Sequence, residues 1–368
     1  MSDASGSALA EPRAPHPEAD AKRPFKLGFH TRISFPTGRA ADGLRDGIEL
    51  FRAGEQLGYD AGWAYQRHFD NYLAAPLVFL PVVAQHTTRI TLGTAIVGMR
   101  YEAPILMAEA AGTADLLTDG RLQLGLGTGM GGFDVVFGQP PNDGRDQSQA
   151  KLELFMRGIR GVPVGVVNEP AGPLTPGLEL TVRPTSPTLP ERVWFGAGSV
   201  ASAERIAGQG LRLMTSTILT GRFDDYGVEQ ARLIDAYHDA HTGTAPPRVA
   251  VSRSILPTTS PELARLYAAY DHERRTQGPG ASRPQGALDA RTELSALPFT
   301  VSQTIHGGPE AVAEALLSDP AVAMADELIA FLPPAFDLAH NRRLIEEIAE
   351  MANGRLGWRP AEPPTDQH

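Results

Sequence analysis

The segment Tyr65-Gln66-Arg67-His68-Phe69-Asp70-Asn71-Tyr72 gathers a cation, an imidazole, neutral donors and aromatic rings directly after the short apolar run Ala61–Ala64. Arg67 offers a planar fork to an anion or an enolate oxygen, and His68 can carry a proton near neutral pH. A polar loop holding one satisfied histidine fits the same residues. Arg100-Tyr101-Glu102 is a thinner version of this chemistry, and Arg253 is a charge inside an apolar run, which either faces a site or pairs with a carboxylate.

Two glycine-rich segments follow apolar runs. Gly196-Ala197-Gly198-Ser199-Val200-Ala201-Ser202 can aim backbone amides, two hydroxyls and a helix N-terminus at a phosphate. Ordinary N-capping by Ser199 explains the same residues without a ligand. Gly127, Gly129 and Gly132 have the spacing of a dinucleotide fingerprint. The context argues against that use, because Gly138-Gln139-Pro140-Pro141 follows where a helix would have to open. A strand end that needs close backbone approach near a bound ring is the better reading. The ten histidines show no metal-ligand spacing, no G-x-S-x-G elbow is present, and the chain has no cysteine. Thiolate metal sites, disulfides and cysteine nucleophiles are thereby excluded, and hydrolytic chemistry is disfavoured.

These segments need a scaffold. Strand-like runs at Phe25–Phe29, Ala61–Ala64, Ile90–Val97, Leu122–Leu126, Val193–Phe195, Leu211–Met214, Val249–Leu256 and Glu327–Leu332 alternate with amphipathic or apolar helical runs. Eight such units predict an α/β chain folded as a (β/α)₈ TIM barrel, with a doubly wound open sheet as the alternative. Insertions follow strands 4 and 7. The first contains a helix near Gln149–Ile159 and the alternating run Leu178–Arg183; the second, Asp271–Pro298, has no packing pattern and reads as a mobile lid. Residues 1–24 read as a disordered tail, 25–358 as one barrel domain and 359–368 as a flexible C-terminal tail.

A length of 368 residues supports a large core, and a net charge of −10 leaves no basic field for nucleic acid or an anionic bilayer. No apolar run is long enough to span a membrane, and the N-terminal stretch lacks the apolar block of a secretory signal. A cytoplasmic protein is expected.

Taken in order, Gln66-Arg67-His68-Phe69, Arg89–Val97, Ala108-Glu109-Ala110 with Asp119-Gly120-Arg121, Gly196–Ser199 and Ala325–Leu328 resemble the bacterial luciferase-like flavin monooxygenases. The likeness runs from about Phe25 to Met351. It implies a barrel that binds reduced FMN, with the phosphate at Gly198, Ser199 and Ser202, a cis peptide at Ala95-Ile96, and Thr94, Ala95, Ile96, Gly127 and Thr128 near the flavin. Luciferases carry a catalytic histidine where this chain has Arg67, and a second one that aligns with His68. The resemblance therefore implies Arg67 and His68 as the catalytic pair without implying light emission. It further implies a separate NAD(P)H-flavin reductase, O₂ and a small organic substrate, a flavin hydroperoxide as oxygenating species, and a homodimer. Related barrels use a deazaflavin for hydride transfer, and others bind flavin without catalysis.

Overall fold

The computed structural model describes residues 26–129, 131–139, 145–170, 172–277 and 299–362. Eight parallel strands form its centre: β1 (Lys26–Thr31), β2 (Ala61–Ala64), β3 (Thr91–Gly98), β4 (Leu122–Gly127), β5 (Val193–Gly196), β6 (Arg212–Thr215), β7 (Val249–Pro257) and β8 (Glu327–Phe331). β1 lies between β8 and β2, and β7 pairs with both β6 and β8, so the sheet closes on itself. Closure settles the choice in favour of the TIM barrel over an open sheet. β2, β4 and β7 are buried along their whole length, as strands covered by side chains inside and helices outside must be.

The helices are α1 (Ala40–Gln56), α2 (Pro76–Ala84), α3 (Pro104–Leu117), α4 (Arg145–Ile159), α5 (Val200–Gly208), α6 (Tyr226–Ala240), α7 (Pro261–Gln277), α8 (Pro309–Leu317), the single turn α9 (Pro320–Ala323) and α10 (Leu338–Met351). No described helix is long and apolar enough to cross a membrane. The first insertion is present. Of the alternating run Leu178–Arg183, Glu179–Leu180 pairs with Gly165–Val166. The second insertion departs from expectation: residues 271–277 are the last turns of α7, where Asp271 and Arg274 are buried beside Tyr267 and Tyr270. A polar helical face turned inward carries no apolar stripe, so the pattern looked loose. Residues 278–298, the rest of the expected lid, lie outside the described residues, as do the expected tail 1–24 and residues 363–368. Within the C-terminal stretch, Ala361 donates its N–H to the Gly58 carbonyl at 3.1 Å.

The floor of the barrel is held by buried and partly buried charges that each have several partners. Glu55, in the last turn of α1, accepts the backbone N–H groups of Thr88, Arg89 and Ile90 at 2.8, 2.7 and 2.8 Å. Arg121 donates to the carbonyls of Ala84, Thr87 and Ile90, and Asp115 takes both terminal nitrogens of Arg192 at 2.8 Å. The Asp119-Gly120-Arg121 segment therefore joins helix ends to strand starts, a task of stability at the face opposite the strand C-termini.

Inside the barrel a separate cluster packs Ala61, Trp63, Trp194, Met214, Ala250 and Ile329, with Ala95 and Ile96 above it. The two indoles meet edge to face with centroids 5.9 Å apart. Each has its N–H satisfied: Trp63 by Glu327 at 2.7 Å and Trp194 by Gln123 at 2.8 Å. Burial pushes the Glu327 carboxyl up from 4.5 to about 7, against the opposing pull of the Trp63 hydrogen bond. A folded-state value above the unfolded one means that stability falls as pH rises from about 4.5 to about 7. Glu327→Gln keeps an acceptor for Trp63 and removes the ionisation. Urea titrations should show the variant gaining about 2 kcal/mol on the wild type between about pH 5 and 8. A constant difference across that range would contradict the buried acid.

Candidate active site at the strand C-terminal ends

β3 stays in register with β4 until Thr94 faces Leu124, then slips by one residue so that Val97 faces Leu126. Within the slip the Ala95–Ile96 peptide is cis, as the family resemblance implied. The Thr94 hydroxyl donates to the Gly125 carbonyl at 2.8 Å. A Cβ on Gly125 would overlap the Thr94 carbonyl, and one on Gly127 would overlap the Ile96 side chain. These glycines serve close approach. The dinucleotide alternative fails on the same ground seen in the sequence: Phe133–Gly138 forms turns, and α4 starts only at Arg145. Met130 lies outside the described residues.

His30, at the end of β1, was missed because strand 1 was read as ending at Phe29. Its Nε2 lies 2.8 Å from the Ala95 carbonyl, which fixes the proton on that nitrogen. Burial, then the nearby Arg32 charge, hold its pKa down at about 3 against the Ala95 hydrogen bond. The remaining nitrogen, Nδ1, is a buried acceptor with no hydrogen-bond partner. The ring stacks on Phe331 with centroids 5.1 Å apart.

The loop after β2 brings Arg67 and His68 to the same end of the barrel. Arg67 Nε lies 3.3 Å from Asp70 Oδ2. Burial opposes the Arg67 charge, but Tyr65 and Asp70 outweigh it and the net shift is upward. Its charge thus already has a counter-ion three residues away, a spacing visible in the sequence. His68 is partly buried, with Nε2 lacking a partner, against Phe137 at 5.0 Å and Tyr101 at 6.2 Å. Burial lowers its pKa, and Glu102 pulls the other way. Gln66 ties this loop to β3 by donating to Glu102 at 2.9 Å and accepting the Gly98 N–H at 3.2 Å. Next to it Arg100 pairs with Asp134 at 2.6 Å, and Lys151 donates to the Arg100 carbonyl at 2.6 Å. Arg253 takes its carboxylate from Asp319 at 2.7 Å, so it is a paired charge.

At the N-terminus of α5, Ser199 and Ser202 form a reciprocal capping box, each side chain bonding the other's backbone N–H. Capping is therefore present. It leaves the N–H groups of Val200 and Ala201, which have no intrahelical acceptor, at the end of the helix. Gly198 accepts the Thr220 N–H at 2.8 Å, which fixes this turn against the strand Ile218–Thr220. Among the described residues no group of His, Asp and Glu is arranged to hold a metal ion.

A family model described as luciferase-like monooxygenase matches residues 25–326. The chain belongs to the luciferase-like monooxygenase family. It is 32% identical over 136 residues to 4-hydroxyprotoasukamycin monooxygenase of Streptomyces nodosus subsp. asukaensis, covering 36% of this chain and 35% of that protein. It is 35% identical over 115 residues to an F420-dependent glucose-6-phosphate dehydrogenase of Kineococcus radiotolerans, covering 29% and 32%. The chain thus spans about a third of the length of these curated relatives. Its fold matches the oxygenating constituent of 3,6-diketocamphane monooxygenase of Pseudomonas putida in complex with FMN, with TM-score 0.63 and 15% identity over 90% of this chain and 98% of the other.

The donor set fits a flavin. An orphaned buried acceptor on His30, glycines that clear the strand ends, and a helix N-terminus on a neighbouring strand leave polar demand where a ring and a phosphate would lie. The His30 assignment has its own check. With the folded value near 3 and the ordinary one at 6.5, the folded chain keeps this ring neutral while the unfolded chain protonates it, so its contribution to stability falls as pH drops from about 6.5 to about 3. Nitrogen-detected NMR should find His30 neutral, with the proton on Nε2, from pH 8 to pH 5. Titration near 6.5 would contradict the burial that holds this ring neutral.

Proposed function

We propose that this chain is the oxygenase component of a two-component monooxygenase, taking reduced FMN from a separate NAD(P)H-flavin reductase and using O₂ to oxygenate a small organic substrate. The observation that carries the reading is the one-residue slip at the end of β3, flanked on β4 and β5 by residues without bulk and by the α5 N-terminus. Gly198, Ser199 and Ser202 would hold the phosphate through backbone amides and hydroxyls. Thr94, Ala95, Ile96, Gly127 and Thr128 would bound the ring. Bound reduced FMN would supply the electrons that activate O₂.

The chain's own groups divide the remaining work. His68 is the proton carrier: burial keeps it neutral around pH 7, and Tyr101 and Phe137 shield it from water. Arg67, balanced by Asp70, positions the loop that carries His68. His30 fixes the Ala95 carbonyl. A homodimer is supported by Val78, Val82, Leu106, Leu116 and Leu117, which expose an apolar surface on α2 and α3. A cytoplasmic location would place the chain beside the reductases that regenerate reduced flavin. The F420-dependent relative supports a second reading, hydride transfer with a deazaflavin in place of oxygenation.

Ser199→Asp separates phosphate binding from capping, because aspartate caps a helix as well as serine does but repels a phosphate. Fluorescence titration should show FMN affinity falling by about tenfold or more, which is about 1.4 kcal/mol, with the melting temperature unchanged. Unchanged FMN affinity would overturn this phosphate site. Binding of the deazaflavin but not FMN to the wild type would select the second reading.

A further inference from the structure

The mouth of the barrel holds two guanidinium groups that differ from the other arginines described there. Arg67, Arg100 and Arg253 each have a carboxylate partner. Arg32, just beyond β1, has instead a bed of aromatic rings: its guanidinium carbon lies 4.9 Å from the centre of Tyr65, 5.8 Å from Tyr72 and 5.4 Å from Phe331. Its Nε is buried without a hydrogen-bond partner. Arg274 on α7 is 6% exposed and donates to the Ser302 carbonyl at 2.8 Å and the Thr304 hydroxyl at 3.4 Å. Neither has an ion pair among the described residues. Asp271, whose charge reaches Arg274, lies 3.7 Å from His306.

Arg32 and Arg274 line one narrow recess together with Thr217, Ile218, Tyr270 and Phe331. Two neighbouring cations, one of them nearly fully buried, repel each other and lose solvation unless an anion lies between them. Burial chiefly, and then the Arg32 charge, disfavour the charged form of Arg274, against the opposing pull of Tyr270, Tyr226 and Asp271. Phe331 carries Arg32 on its ring and also stacks on His30, the residue that holds the Ala95 carbonyl. One aromatic ring therefore links the recess to the strand slip.

We propose that Arg32 and Arg274 form an anion subsite that binds the carboxylate of the organic substrate, and that the substrates of this chain are small organic acids. The inference rests on the oxygenase reading for the word substrate, while the subsite itself rests on the two guanidiniums. The pair would grip the carboxylate by charge-assisted hydrogen bonds, Ile218 and Phe331 would pack the adjoining apolar carbons, and the body of the acid would extend past His30 toward Ala95–Ile96.

Benzoate and its neutral isostere benzamide are the probes, titrated into the full-length chain by saturation-transfer NMR, with FMN titrated into the same preparations. Benzoate should bind the wild type about tenfold more tightly than benzamide, and Arg32→Gln and Arg274→Gln should each abolish that preference. Thr217→Glu, which brings a carboxylate into the recess while keeping both arginines, should also abolish it; this variant decides the matter should an arginine variant fail to fold by circular dichroism. No benzoate binding to the wild type, equal binding of benzoate and benzamide, or a preference that survives in the folded variants would overturn the subsite. So would loss of FMN affinity in Arg274→Gln with benzoate binding intact, since the arginine would then belong to the cofactor. Arginine-dependent benzoate binding in a chain that takes up no FMN would instead remove the flavin reading and leave the subsite standing.

Discussion

The site depends on how closely the end of β3 approaches its neighbours. The one-residue slip between Thr94 and Val97 directs a carbonyl, that of Ala95, toward the end of β1, where His30 donates to it. A side chain at position 125 would collide with the Thr94 carbonyl, so glycine there is a condition of the slip, and one at 127 would displace the end of the Ile96 side chain. Beside the slip lie the partly buried Ala95 and Ile96 and the neutral imidazole of His30. Such a surface accepts a flat ring, and its polar demand lies at the edges.

Opposite ends of the same strands carry different duties. On the floor, the buried Glu55 and Asp115 and the partly buried Arg121 and Arg192 are supplied with several partners each, which makes them costly to remove and chemically inert. At the mouth, His30 Nδ1, His68 Nε2 and Arg32 Nε are buried and lack hydrogen-bond partners. Buried polar atoms are normally satisfied, so these three mark positions at the mouth where a ligand would supply partners, although orphaned atoms such as Arg89 Nε also occur near the strand starts. Glu327 lies between the two, a buried acid below the indole layer whose value near 7 follows from burial, aided by Asp60, outweighing the Trp63 hydrogen bond and the Lys26 and Arg212 charges.

Much of the scaffold was legible because barrel strands are short, apolar and evenly interrupted by helices, and all eight strand runs correspond to barrel strands. The site was legible only in pieces. The glycines at 125 and 127 stand in the sequence, but their partners at Thr94 and Ile96 come from a neighbouring strand, and the cis peptide came from family resemblance rather than from spacing. Arg67 drew attention for its charge, while the Asp70 that balances it was part of the same motif. Ser199 and Ser202 fitted a cap and a phosphate site equally, and the reciprocal capping box accounts for both hydroxyls without deciding on a ligand. Arg32 and Arg274 were missed because neither belongs to a motif. They come together only when β1 and α7 meet, 242 residues apart in the chain, and α7 shows inward-turned tyrosines and a cation where apolar periodicity was sought.

The most direct measurement of the central claim is a crystal structure of the chain with bound FMN. The account predicts the phosphate against the backbone of Gly198–Ser202 at the start of α5 and the ring against Ala95–Ile96, with His30 Nε2 still donating to the Ala95 carbonyl. A flavin whose phosphate lies elsewhere on the barrel, or whose ring makes no contact with the Ala95–Ile96 peptide, would contradict it.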